Sequence, residues 1–385
     1  QAAAGTATTT SQISLIDKNF KLPQVFRANL AFDFKLPGGI QATVEGLYSS
    51  TVNNIRYRNL NIKRSTTTIN PALSGGADLR PAYSNTTATR VNGTDFTEVY
   101  LLENTNEGYT YNLTGQLQKS FNMGLYASIA YTYGKAMDVN SGFSSTASSG
   151  YGGVFIVNDA DNPPLAFSNY DLRHRIVGAL NYTLKYGKNK ASGTTFSLFY
   201  AGKSGGTISY IYSADLNGDN SVSSGNPSND LIFVPRTISD IKLLPLAASG
   251  SLPALTPAQQ WAALDQFISN DKYLSSRRGQ YAERNGGRMP WEHQFDLRIM
   301  QDLGVIFKGT KNSLQLSLDI INVGNLLNKD WGRSYFLNNN AYALINYNAA
   351  GGGFTFRAPN NNVPYAASAI SSRYQAQFGL RYNFN

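Results

Sequence analysis

The densest run of oxygen ligands in the chain is DLNGDNSVSSGNPSNDL, residues 215–231. Asp215, Asn217 and Asp219 place a side-chain oxygen at every second residue, and Gly218 allows a tight turn between them. Ca²⁺ takes six to eight hard oxygens, so this spacing resembles the first half of a calcium loop. An EF-hand has glutamate at the twelfth position, where this loop has Asn226. Asp230 is the residue left to close the shell, with the Ser221 carbonyl contributing, and a Ca²⁺ held there would be structural. The same residues suit an Asx-turn loop, in which Asp and Asn bond their own backbone. Spacing alone leaves both readings open.

Other chemistry has less support. Cysteine is absent, which removes thiol nucleophiles, disulfides and thiolate metal sites. His174 shares parity with Ile176, Gly178 and Leu180, and His293 with Phe295, Leu297 and Ile299. Both histidines therefore project from the apolar face of a strand, and neither is placed to activate a serine. No Asp/Glu pair has a spacing that singles it out for glycosidase chemistry. The glycine-rich stretches 141–154 and 348–354 do not follow a strand and open a helix, as a phosphate cradle requires, and they read as mobile outer loops. Arg277, Arg278, Arg284 and Arg288 form a basic cluster that either meets a ligand or pairs with loop carboxylates such as Glu283 and Glu292. No enzyme is expected.

The elements that must carry these residues alternate. In RYQAQFGLRYNFN (373–385), Tyr374, Ala376, Phe378, Leu380, Tyr382 and Phe384 oppose Arg373, Gln375, Gln377, Gly379, Arg381 and Asn383. Such a period of two marks a β-strand with unlike solvents on its two sides. The pattern recurs at 25–35, 40–49, 109–121, 125–133, 172–184, 194–203, 291–303 and 313–321. Each segment is about the nine to eleven residues that a tilted strand needs to cross a bilayer. Among the 385 residues 12% are aromatic and only 15% charged, against nearly a quarter charged in an ordinary soluble globule. A soluble β-sandwich would also alternate, but with Lys and Glu on its polar face and short loops. Here the polar face favours Gln, Asn, Thr and Ser, which suits a water-filled lumen. No apolar run is long enough for a membrane-spanning helix. The net charge of +9 is dispersed and accompanies no nucleic-acid motif.

The connections are asymmetric: 36–39, 121–124, 185–193 and 304–312 are short, while 51–96, 137–167, 204–290 and 322–370 are long. Short turns on one rim and long loops on the other is the pattern of an outer-membrane barrel, with the short turns periplasmic. Domain organisation then reads as an outer loop segment, 1–24, and a barrel portion, 25–385. The 204–290 loop holds a predicted helix, capped by Thr256 and started by Pro257, with Trp261, Leu264, Phe267 and Ile268 as its apolar stripe. Alternating short and long connections give nine crossings, whereas bacterial single-chain barrels have an even number. The remaining wall is therefore expected from a missing N-terminal part or another chain. QAAAGTATTT is not a signal peptide, so either the mature chain begins there or the sequence is a piece of something longer.

LPQVFRANLAFDFKLPGGIQATVEGLY, DLRHRIVGAL, DLNGDN…NDLIFVP, RGQYAERNGGRMPWEHQFDLRI and DIINVGNLLNKDWG together resemble the C-terminal barrel of TonB-dependent outer-membrane transporters, in particular the large Bacteroidetes type called Oar-like. The resemblance runs from about Phe20 onward. It implies an all-β, 22-stranded transmembrane antiparallel barrel, of which this chain supplies about nine strands and the long extracellular loops. It further implies an N-terminal plug and the remaining strands, both absent from this sequence, a TonB complex engaged through the missing part, and contact with outer-membrane lipid. A surface lipoprotein partner is open, as is the nutrient imported, glycan or peptide. The family usually ends on an aromatic residue, whereas here Asn385 follows Phe384. The alternative is a passive porin or adhesin-like barrel.

Overall fold

The structure, a computed structural model, describes residues 11–83, 86–142, 144–187, 190, 192–219, 227–303 and 312–384. Its main strands are β1 (Ser11–Ile16), β2 (Gln24–Leu36), β3 (Ile40–Asn59), β4 (Phe96–Thr105), β5 (Gly108–Ser120), β6 (Leu125–Asp138) and β7 (His174–Tyr186). They continue as β8 (Ser192–Lys203), β9 (Thr207–Tyr212), β10 (Glu292–Asp302), β11 (Asn312–Ile321), β12 (Ala341–Asn348), β13 (Gly353–Thr355) and β14 (Gln375–Phe384). The segments with strict alternation pair in the order β2-β3-β5-β6-β7-β8-β10-β11-β14, each antiparallel to the next. Among the described residues β2 and β14 each pair on one side, and the sheet does not close on itself.

Register turns the period of two into continuous rows. Leu125, Tyr182, Phe196, Ile299, Leu318 and Phe378 face one another across neighbouring strands. Higher up, Phe32, Val44, Gly115, Tyr131, Ile176, Gly202 and His293 form a second row on the same face. Among the described residues no layer covers these rows, and Phe32 and Phe378 are 60% and 71% exposed. The informative feature is a large exposed apolar face rather than any single exposed residue. The opposite face holds polar pairs: Thr114 with Thr132 at 2.9 Å, Gln118 donating to Gln41 at 2.9 Å, and Arg298 with Asp319 at 3.0 Å.

The wall strand β8 ends at Lys203, and Thr207–Tyr212 belongs to another sheet. A Cβ on Gly205 would lie 2.2 Å from the Met289 carbonyl oxygen, so the chain leaves the wall where two backbones approach too closely for a side chain. Ahead of β5 the chain forms the separate strand β4. β4 pairs with the upper part of β3, which runs past the expected end to Asn59, and β1 joins β4 in parallel. Part of the 1–24 segment is thus strand rather than loop.

Above the wall the long connections fold into a crown. Its sheet runs from the pair Gly287–Arg288 through β9 and β12 to β13. Around it pack Ile208, Tyr210, Ile232, Val234, Leu264, Ile268, Ile345 and Phe356, all essentially buried. The predicted helix is Pro257–Asn270, with the Gln259 amide N–H donating to the Thr256 hydroxyl at 3.3 Å and the Gln259 side chain reaching back. Leu264, Phe267 and Ile268 are buried as the stripe requires, and Trp261 packs beside them.

The glycine-rich stretches carry short regular elements within the long connections. Ala147–Gly152 is a short helix, and a Cβ on Gly150 would lie 2.6 Å from the Tyr57 ring. Gly353 starts β13, where a Cβ would meet the Lys242 carbonyl oxygen at 2.8 Å. These glycines serve close packing.

Candidate functional site

Arg80 lies at the centre of the crown with its side chain wholly buried. Its guanidinium bonds Asp78 at 2.9 Å, Asp230 at 3.3 Å and the Leu231 carbonyl at 2.7 Å. The rings of Tyr212 and Tyr281 lie 5.0 and 5.6 Å from it. A guanidinium buried in this way stays charged because two carboxylates face it. Burial pushes Asp230 up to about 6, against the pull of Arg80 in the other direction. Arg80 gives no sequence signal beyond its spacing from Asp78, because its other partners, Asp230, Tyr212 and Tyr281, lie far away along the chain.

Asp230 also fastens the acidic loop, its Oδ2 accepting from the Leu216 amide at 2.8 Å. Asp215 accepts from the Gly218 amide at 2.7 Å, and Asn217 from the Asp219 amide at 2.9 Å. The Asn217 side-chain amide donates to Asp219 at 3.2 Å. The motif's oxygens thus turn inward onto their own backbone, with Arg80 as the nearby positive charge. Ser221 lies outside the described residues. Among the described residues no group of three or more His, Asp or Glu is disposed to hold a metal ion.

Beside this node is a cavity of about 1020 Å³. Four stretches of loop line it: 77–79, 155–167, 231–233 and 277–284. Phe155, Phe167, Phe233 and Leu231 supply apolar surface, while Asn158, Asp159, Asn162 and Gln280 supply hydrogen-bonding groups. The Tyr281 hydroxyl donates to Asp78 at 3.0 Å and accepts from the Leu79 amide at 2.8 Å, tying one wall of the cavity to the Arg80 node. Burial raises that phenol to about 12. Aromatic faces with a few convergent polar groups suit the binding of an organic solute. The signal for this site was the apolar run LIFVP (231–235) inside a loop, which is the mark of a buried segment rather than of an exposed one.

The basic cluster resolves into pairs. Arg277 meets Glu283, Arg278 meets Asp265 at 2.6 Å, Arg284 meets Asp138 at 2.9 Å, and Arg288 meets Asp171. Glu292 pairs instead with Lys203 at 3.2 Å. Arg277 and Arg284 line the cavity, so their pairing sets its charge close to balance. Neither histidine is near this site. His174 Nδ1 is 2.7 Å from the Tyr131 hydroxyl and His293 Nδ1 is 2.8 Å from that of Tyr200, both on the apolar face of the wall.

Residues 1–358 match the model of a family described as an outer membrane beta barrel domain. A crystal structure of the outer membrane transporter YddB from Escherichia coli is similar at 11% identity with a TM-score of 0.39, the match covering 98% of this chain and 34% of that one. The chain spans only about a third of that protein's length, at 34%. No curated protein matches.

Proposed function

The chain belongs to the outer membrane beta barrel domain family, and from that premise we propose that it forms wall and surface crown of a TonB-dependent active transporter of the Bacteroidetes type. The family is one of outer-membrane barrels, not of enzymes, and the chain resides in the outer membrane. In the proposed cycle a nutrient is captured at the crown cavity and handed to a plug contributed by sequence outside this chain. Energised movement of that plug opens the path to the periplasm. The residues here bind and position the solute, and nothing in them is asked to break a bond.

The observation that carries the proposal is the cavity of about 1020 Å³. It is bounded by loops that share a packed core instead of lying open over a pore. A passive porin gains from loops that leave its mouth open, whereas a capture site needs walls held in place before the ligand arrives. The cavity mixes three phenylalanines with side-chain amides, which serves solutes with both apolar and hydrogen-bonding faces, a sugar or a peptide. The test is purification of the intact polypeptide from outer membranes, followed by binding to the periplasmic domain of TonB. The proposal expects a polypeptide that carries a plug ahead of this barrel and is retained by TonB. A plugless barrel that TonB does not retain would refute it.

A further inference from the structure

We propose that Asn322–Arg333 is a membrane-interface anchor, with Leu326, Leu327 and Trp331 lodged among the lipids of the outer leaflet. The inference needs only family membership and holds for an energised or a passive barrel alike. At the top of β11 the chain turns through Asn322 in the left-handed conformation, φ 55° and ψ 49°. The Asn322 amide donates to Asp296 at 2.8 Å, and its side chain donates to the carbonyls of Gly332 and Ser372 at 2.8 and 2.9 Å. Asn325 bonds the carbonyls of Lys329 and Trp331, each at 3.1 Å. Gly332 has φ +64°, and a Cβ there would lie 1.8 Å from Asn322 Oδ1. Only glycine fits. The segment is therefore a closed hook fastened to wall strand β10.

This constrained hook keeps large apolar side chains outside: Leu327 is 74% exposed, Trp331 56% and Leu326 45%. A fixed display of this kind marks an interaction surface. Its occupant follows from continuity with the lipid face of the wall. Trp331 and Arg333 bound a cleft of about 190 Å³ whose other side is Trp291, His293 and Phe295. Those three residues belong to an aromatic belt in which His174, Trp291 and His293 stack at centroid distances of 5.7 and 5.8 Å. Belts of Trp and Tyr sit where acyl chains meet head groups. Lys329 adds a cationic head on a long stem of the kind that reaches from apolar surface to head groups, while Arg333 pairs with Asp330 inside the hook. The hook thus continues the belt sideways into the membrane interface.

Depth measurement tests this. The chain has no cysteine, so a nitroxide placed through Leu327→Cys, with any cysteine elsewhere in the full-length protein replaced by serine, can be read after reconstitution into phosphatidylethanolamine–phosphatidylglycerol vesicles. Ile299→Cys on the lipid face and Ser251→Cys on the crown serve as references. The ratio of oxygen to nickel-chelate accessibility at position 327 should be several-fold above that at 251 and close to that at 299. A ratio matching Ser251 would place the hook in water and overturn the proposal. A label shielded from both reagents would mean that protein covers the hook, and would overturn it as well. Gly332→Ala, which opens the hook, should move the 327 label toward the Ser251 value.

Discussion

At the scale of single residues, Arg80 decides whether the crown holds together. It neutralises Asp78 and Asp230 inside a protein interior, and an ion left there without its partner is costly. Arg80→Met should therefore destabilise the crown by about 3–5 kcal/mol, seen as a lower melting temperature and faster proteolysis of the loops. Arg80→Lys should recover only part of that loss, because an ammonium cannot bond two carboxylates and a carbonyl in one plane. Asp230 gives the pH dependence. Its folded-state pKa is raised above the ordinary carboxylate value, to about 6. The native state therefore takes up the proton before the unfolded state does. Through this group the crown gains stability as pH falls from 7 past 6, and loses it as pH rises. The slope should vanish in Asp230→Asn, which melting curves between pH 5 and pH 7.5 would show. Calcium at Asp215, Asn217 and Asp219 would have to displace the bonds these residues make to the loop itself, close to a guanidinium. The melting temperature is accordingly expected to be the same in chelator as in millimolar Ca²⁺; a rise of several degrees with Ca²⁺ would decide for the metal reading.

The wall strands were legible in the sequence and the crown was not, for a physical reason. A strand between lipid and a polar lumen must alternate, and that alternation fixes its faces and limits its register. Leu180, Leu198, Leu297 and Ile320 accordingly fall into one row. Leu198→Arg puts a charge into that row and should cost about 2–4 kcal/mol in bilayer unfolding titrations. Ser197→Arg, on the other face, should cost little. The crown follows no such rule, because its strands are short and their partners lie in other loops. β9 pairs with β12 from more than a hundred residues away, which local pattern cannot report. The helix Pro257–Asn270 was the exception, since its cap and stripe are local signals. Glycine serves close packing as readily as mobility, and the packing at Gly150 and Gly353 shows only in their neighbours, which the sequence does not report. For the candidate site, the basic cluster and LIFVP were visible in the sequence, but their meeting with residues 77–79 and 155–167 was not.

At the scale of the whole molecule, the wall and the crown are held by different solvents. The wall gives its apolar rows to the membrane and keeps no core of its own. The crown buries its core in the ordinary way, as a small globular unit. This division explains how loops of such length can bound a defined cavity. The crown is tied to the wall it stands on through Arg284 and Asp138, the last residue of β6. Under the proposed function that wall encloses a plug, so the protein should be closed to ions at rest. The most direct measurement is the conductance of the full-length protein in a planar lipid bilayer. The account predicts no steady current until the plug is deleted or unfolded by urea on its periplasmic side. A large, steady conductance from the untouched protein would contradict it and make the barrel a passive pore.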